Sequence, residues 1–192
     1  KVKRELNKVS KELEVLKEEK TAQKVDNQIP EMIGSSRGMR NIKDQIIKLV
    51  DQETHVLIIG EPGTGKEVVA KSIWNLYRKE NDRNQVTFDC GSIPPNLIHS
   101  EIFGHVKGAF TGADRTKKGI IEENDGKMIF LDEIGNIPRE NQNVFMRLLQ
   151  MGEIKKSGSN QVETVNVQII AATNKDINDP DIFASDLRDR FD

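Results

Sequence analysis

Gly60-Glu61-Pro62-Gly63-Thr64-Gly65-Lys66, entered from the apolar run Val56-Leu57-Ile58-Ile59, is the stretch on which the fold turns. A short apolar run ending in a glycine-rich turn reads as a buried strand, here over 54–59. Behind the turn, the spacing of Val69, Ile73, Trp74 and Tyr77 predicts a helix over 66–78. Glycine at the first and sixth positions followed by lysine matches the Gly-x4-Gly-Lys phosphate loop. Its backbone N–H groups wrap phosphate oxygens, and the following helix adds positive potential at its N-terminus. Lys66 would reach the β- and γ-phosphates of a nucleotide. The pattern usually continues with a Ser or Thr whose hydroxyl binds magnesium, but Glu67 stands there. The bland alternative, a glycine turn with an incidental lysine, fits the strand–loop–helix context poorly.

Outward from this loop, strands and helices alternate. Strands are predicted over 86–88, 127–131 and 165–172, and helices over 95–103 and 139–151. This alternation implies an α/β fold with a parallel sheet and right-handed crossovers, whose ligands bind at the carboxyl ends of the strands. A second motif falls at such an end. Met128-Ile129-Phe130-Leu131-Asp132-Glu133 is an apolar strand closed by two carboxylates. Asp132 would hold magnesium, and Glu133 would polarise the water that attacks a γ-phosphate. Alone, paired acids after a strand are usually a cap or a solvated turn; two strands beyond a phosphate loop, the functional reading prevails. A third strand ends in Thr173-Asn174. Asn174 could sense the γ-phosphate, or merely open a turn before Asp176.

Composition excludes several classes. With 29 basic and 31 acidic residues the net charge is -2, so no global field draws the chain to nucleic acid or to an anionic membrane. The apolar runs fall far short of the roughly 20 residues of a membrane span. No signal peptide is visible, and one cysteine, Cys90, permits no internal disulfide, so a cytoplasmic protein is expected. Cys90 follows a strand with no histidine near it and reads as buried. His55, His99 and His105 lack metal-ligand spacing.

The front of the chain differs. Val2, Leu6, Val9, Leu13 and Leu16 form an a/d stripe on a charged helix over 1–20, followed by a linker over 21–30. The stripe suits either the end of a dimerising, coiled-coil-like helix or a solvated linker helix. The first residue is Lys1, and Asp192 falls within a charged, helix-like pattern, so a piece of a longer polypeptide is expected.

Gly108-Ala109-Phe110-Thr111-Gly112-Ala113 reads by composition as a mobile loop of small residues carrying one aromatic. This hexapeptide is identical to the signature of the bacterial enhancer-binding proteins, the AAA+ activators of sigma-54 RNA polymerase. Other segments resemble that family in the same order: Ile33-Gly34, Gly60 to Glu67, Ser100-Glu101-Ile102-Phe103-Gly104-His105, Phe130-Leu131-Asp132-Glu133 and Ala171-Ala172-Thr173-Asn174. The resemblance covers about 33–192, with 31–192 as the α/β subdomain.

The resemblance implies a P-loop AAA+ core, ATP and Mg2+ as ligands, and a ring, usually hexameric, with ATP bound between neighbours. Ile33 and Gly34 would lie near the adenine, and Glu67 is itself usual at its position, with Asp132 and Glu67 beside the metal. The loop 108–113 would contact sigma-54 RNA polymerase through Phe110 and Thr111, and a second loop near 158–162 would lie beside it. Enhancer DNA would be bound only through a domain missing here, as is the helical lid; no membrane is involved.

Two residues depart from the family pattern. Asp89 stands where an Asn usually pairs with the catalytic glutamate, which would bring two carboxylates together. Of two arginines that act on the neighbour's γ-phosphate, the second matches Arg190 and the first falls on Ala184, with Arg188 as an offset substitute. Two functions therefore stand: a mechanochemical ATPase acting on sigma-54 polymerase, or a nucleotide-responsive assembly module with little turnover.

Overall fold

A computed structural model describes residues 28–50, 52, 54–77 and 86–191. The heptad stripe over 1–20 and most of the linker lie outside the described residues. Near the end of that linker, Ile29 is 1% exposed and packs into the core, so the folded unit already includes it.

In chain order the elements are α1 (Arg37–Val50), β1 (Val56–Ile59), α2 (Lys66–Tyr77), β2 (Val86–Asp89), α3 (Pro95–Phe103), β3 (Gly104–His105) and β4 (Lys117–Lys118). They continue with α4 (Ile120–Glu123), β5 (Met128–Asp132), α5 (Gln142–Met151), β6 (Glu153–Ile154), β7 (Glu163–Thr164), β8 (Gln168–Thr173) and α6 (Ser185–Arg188). Helix α1 has no counterpart among the expected elements. The helix expected over 139–151 divides into a 3-10 turn, Arg139–Asn141, and α5 proper.

Four strands form a parallel sheet in the order β1-β8-β5-β2. The last strand in sequence is thus inserted between the two that carry the strongest motifs. Side chains alternate between faces along a strand, and here both faces are buried. Ile129, Leu131, Ile169 and Ala171 enter one layer with Ile98, Ile102, Phe145 and Leu148 of α3 and α5. Met128, Phe130, Ile170 and Ala172 enter the other, with Ile46 of α1 and Ala70, Ile73 and Trp74 of α2. This explains why both strands read as unbroken apolar runs rather than alternating ones. Phe103 and Phe145 meet edge to face at 4.9 Å in the first layer.

Helix α3 opens with Pro95, whose missing N–H costs nothing in the first turn, and closes at Gly104. Gly104 has φ +86, and a Cβ there would lie 2.6 Å from the Lys117 carbonyl, so the turn into the β3–β4 ladder requires glycine. Helix α5 ends on Gly152 in the left-handed region, whose N–H returns to the Arg147 and Leu148 carbonyls. Among the described residues no helix is long and apolar enough to cross a membrane.

Candidate functional site at the carboxyl edge of the sheet

The register aligns the strand ends. Ile59 pairs with Thr173, and Asp89 with Asp132, so the turns that follow β1, β8 and β5 emerge on one edge. The phosphate-loop sequence leaves β1 and is tied at once to β8, since Gly60 N–H donates to the Thr173 carbonyl at 3.1 Å. Gly63 and Gly65 hold φ +78 and +89, values that L side chains rarely adopt. A Cβ at Gly63 would touch nothing within 4 Å, so glycine is required there for its backbone angles rather than for space. Lys66 turns back over the loop, its Nζ donating to the Gly60 carbonyl at 3.1 Å. A cavity of about 650 Å³ lies between α1 and β1 and reaches the loop at Gly60, Thr64 and Lys66.

Across β8, the end of β5 supplies the carboxylates. Burial pushes the Asp132 carboxyl above its ordinary value, while the hydrogen bond it accepts from the Glu133 N–H, at 2.9 Å, works against that rise. Glu133 has φ 52, the one positive value among the described non-glycine residues. Such strain persists where surrounding structure imposes it, and it turns the Glu133 carboxylate toward β1 and β8. Its Oε1 lies 3.6 Å from Lys66 Nζ, and its Oε2 accepts from the Asn174 main-chain N–H at 3.4 Å. The structure therefore joins Lys66, Asp132, Glu133 and Asn174, residues from three strand ends, in one place. Glu67 is close enough to act on the Asp132 carboxyl. No cluster of three His, Cys, Asp or Glu suited to a metal occurs among the described residues.

Ile33 is 89% exposed, and neither it nor Gly34 lines the cavity. Asp89 lies beside Asp132 in register, but its Oδ1 accepts from the Gly91 N–H at 2.8 Å and caps a short 3-10 turn. The carboxylate of Glu133 faces Lys66 and Asn174 instead. Cys90 behaves as expected of a buried thiol: burial, then Asp89 and Asp132, push its pKa up to about 12.

Two other regions carry expected residues. The loop 108–113 is a tight turn, with Gly108 N–H donating to Ala113 O at 2.9 Å and Ala113 N–H to Phe110 O at 3.0 Å. Phe110 is 38% exposed and lies on His105, ring centroids 5.0 Å apart, rather than in the core. In the 183–190 segment, Ala184 is 2% exposed and donates its N–H to Gln142 Oε1 at 2.7 Å. Arg188 is engaged locally, with Asn178 and Asp189 at 3.1 Å each. Arg190 lies against Gln150, whose amide, assigned with its oxygen toward the guanidinium, accepts from Nη2 at 2.7 Å and Nε at 2.6 Å.

Sequence reasoning missed Gln142 and Gln150. Gln142 is buried, and its amide nitrogen also donates to the Ile137 and Ile182 carbonyls, so one side chain pins the whole approach to Arg190. A polar residue at a core-facing position of an otherwise amphipathic helix is the signal that could have found it.

The model of the sigma-54 interaction domain matches residues 32–191. The formate hydrogenlyase transcriptional activator FhlA of Escherichia coli is 41% identical over 153 residues, 80% of this chain and 22% of the relative. The regulatory protein LuxO of Vibrio cholerae is 42% identical over 175 residues, 90% of this chain and 32% of the relative. The chain thus spans about a fifth to a third of the length of these relatives. Among solved structures, NtrX from Brucella abortus in complex with ADP superposes with a TM-score of 0.71 at 26% identity, over 93% of this chain and 40% of that one. The same protein in complex with ATP gives 0.71 over the same shares. From the phosphate-loop geometry, the paired carboxylates on the neighbouring strand end and these matches together, the chain belongs to the sigma-54 interaction domain family, the AAA+ domain of sigma-54-dependent activators.

Proposed function

We propose that the chain binds ATP with Mg2+ and hydrolyses it as one subunit of a homo-oligomeric, usually hexameric, ring that remodels sigma-54 RNA polymerase through the loop 108–113. The observation that carries this reading is the convergence of Lys66, Asp132, Glu133 and the Asn174 N–H at one sheet edge. NtrX, similar in fold, has been solved with ADP and with ATP, which supports the nucleotide.

The residues fit both groups. Two positive-φ glycines leave the loop backbone open to phosphate oxygens, and the Lys66 ammonium donates to a loop carbonyl, poised beside them. Asp132, with Glu67 nearby, would hold Mg2+, which takes few protein carboxylates and keeps its waters. Bound there, the ion would neutralise phosphate charge. Lys66 would take the β- and γ-phosphate charge that grows as the γ-phosphorus–oxygen bond to ADP breaks. Glu133 would orient the attacking water and receive its proton as the new phosphorus–oxygen bond forms. Asn174 would fix the water or the γ-phosphate. Arg190 would reach the neighbouring subunit's nucleotide.

A second reading, a nucleotide-responsive module with little turnover, is favoured by the buried Ala184 and by Arg188 being engaged with Asn178 and Asp189. Asp89 adds to it, since a carboxylate there caps Gly91 and offers Glu133 no donor. Phosphate release over a protein concentration series, with Lys66→Ala as the blank, separates the two. Specific activity that rises with concentration supports the shared-site ATPase; release at the blank while nucleotide still binds supports the module. Asp89→Asn should change either turnover or activation if position 89 relays nucleotide state, and equal values in both assays end that idea.

A further inference from the structure

The hairpins β3–β4 and β6–β7 are ladders of two residues each, too short to hold themselves in water. Contacts between them supply what the ladders lack. Ser157 N–H donates to the Gly104 carbonyl at 2.9 Å, and Val106 N–H donates to the Ser157 carbonyl at 3.0 Å. Ser157 and His105 thereby form an isolated parallel bridge joining the second hairpin to the stem of the loop 108–113. The Ser157 hydroxyl also lies 2.7 Å from His99 Nδ1 on α3. Next to it, Gly158 at φ +77 abuts the loop: a Cβ there would lie 2.8 Å from Ala109 Cβ.

A charged network runs beneath. Lys156 Nζ, on a side chain only 11% exposed, lies 2.8 Å from Glu122 Oε2 and 2.7 and 2.9 Å from the two Glu163 oxygens. Glu122 Oε1 takes Lys118 at 2.8 Å. Lys118 belongs to β4, the return strand of the first hairpin, and Glu163 to β7, the return strand of the second. Glu122 on α4 joins them. Burial would raise the Glu122 carboxyl, but the Lys118 and Lys156 ammonium groups outweigh it and hold it below its ordinary value. These are partly buried charges with several partners, unlike an isolated surface pair, and removing the shared Lys156 strips Glu163 of its cation and leaves Glu122 with Lys118 alone.

We propose that Lys156 and Ser157 are positioning residues that lock the second hairpin to the stem of the loop 108–113, so that both hairpins move as one body and present Phe110 in a single orientation. The inference rests on the reading of that loop as the contact for sigma-54. The two backbone hydrogen bonds set the register, the His99 contact anchors it to α3, and Lys156 joins the two return strands by charge.

The test uses the full chain with Lys156→Met, Lys156→Arg and Ser157→Ala. Amide hydrogen exchange over 106–113 should rise about tenfold in Lys156→Met and a few-fold in Ser157→Ala, with Lys156→Arg close to wild type and the amides of 128–132 and 168–173 unmoved. Affinity for purified sigma-54 should fall in the same order, while phosphate release per chain stays constant. Unchanged exchange over 106–113 in both Lys156→Met and Ser157→Ala overturns the clamp. So does a rise shared equally by the sheet amides, which marks general destabilisation. A wild-type chain with no affinity for sigma-54 sinks the partner reading instead, and the exchange data alone then decide the clamp.

Discussion

The carboxyl edge of the sheet and the paired hairpins place functional groups in opposite ways. At the sheet edge, Asp132 ends and Asn174 follows strands whose residues are buried on both faces, and Glu133 beside them holds φ 52. In the hairpins, two-residue strands are held by a serine, a shared lysine and a glycine contact, with Phe110 half out in solvent on a histidine ring. Dense apolar packing holds atoms closely in place, which the proposed activation of water at phosphorus would demand. Polar contacts near the surface open at low free-energy cost, which suits the proposed engagement and release of a partner by the loop 108–113.

The sharpest way to break this contrast is to damage each region and measure stability. Leu131→Ala, in the buried strand, should cost about 2–5 kcal/mol in denaturant unfolding, whereas Phe110→Ala should cost under about 1 kcal/mol while abolishing sigma-54 binding. Comparable losses for the two would remove the distinction. Next in size, Lys66→Ala should lower phosphate release by about 10²-fold or more, as its proposed role on phosphate charge requires. Gln150→Ala should follow with a several-fold fall in turnover, confined to concentrations at which chains associate. An equal fall at every concentration would show that Arg190 does not act across subunits.

The smallest effect sharpens the picture of the sheet edge. Because burial raises the folded-state pKa of Asp132, ionising it opposes folding; the penalty is absent below its unfolded pKa and fully present above the folded one. Asp132→Asn should therefore raise the thermal midpoint slightly at pH 7, with the gain vanishing as pH falls through the carboxylate range, while metal-dependent nucleotide binding is lost. A midpoint that drops at pH 7 would mean the carboxylate is stabilising there.

How much of this was legible beforehand varied with the range of the interactions. The helix over 95–103 was readable to the residue, since Pro94 precedes it, Pro95 opens it and Gly104 ends it. Helix α1 was missed although Met39, Ile42, Ile46 and Leu49 recur at helical spacing with charged residues between them and Ile46 is buried. At the site, Lys66, Asp132 and Glu133 were found because each sits in a recognisable strand-to-loop passage. Asp89 was read only through its expected nearness to Glu133, and the donor its carboxylate takes, Gly91 N–H, was not foreseen. Nothing local marks Ala184 as a buried helix cap on Gln142, 42 positions away.

What the sequence determined by itself is what short-range physics dictates. Glycines at 60, 63 and 65 license the loop, apolar runs mark strands buried on both faces, and lysine and carboxylates stand at their ends. What the tertiary structure alone decided is which distant pieces meet: β8 inserted between β1 and β5, Arg190 on Gln150, Lys156 between Glu122 and Glu163. The physical reason is that strand order and side-chain partnership are settled by cooperative burial over long loops, whose closure entropy rises only slowly with length and so leaves little trace in local pattern.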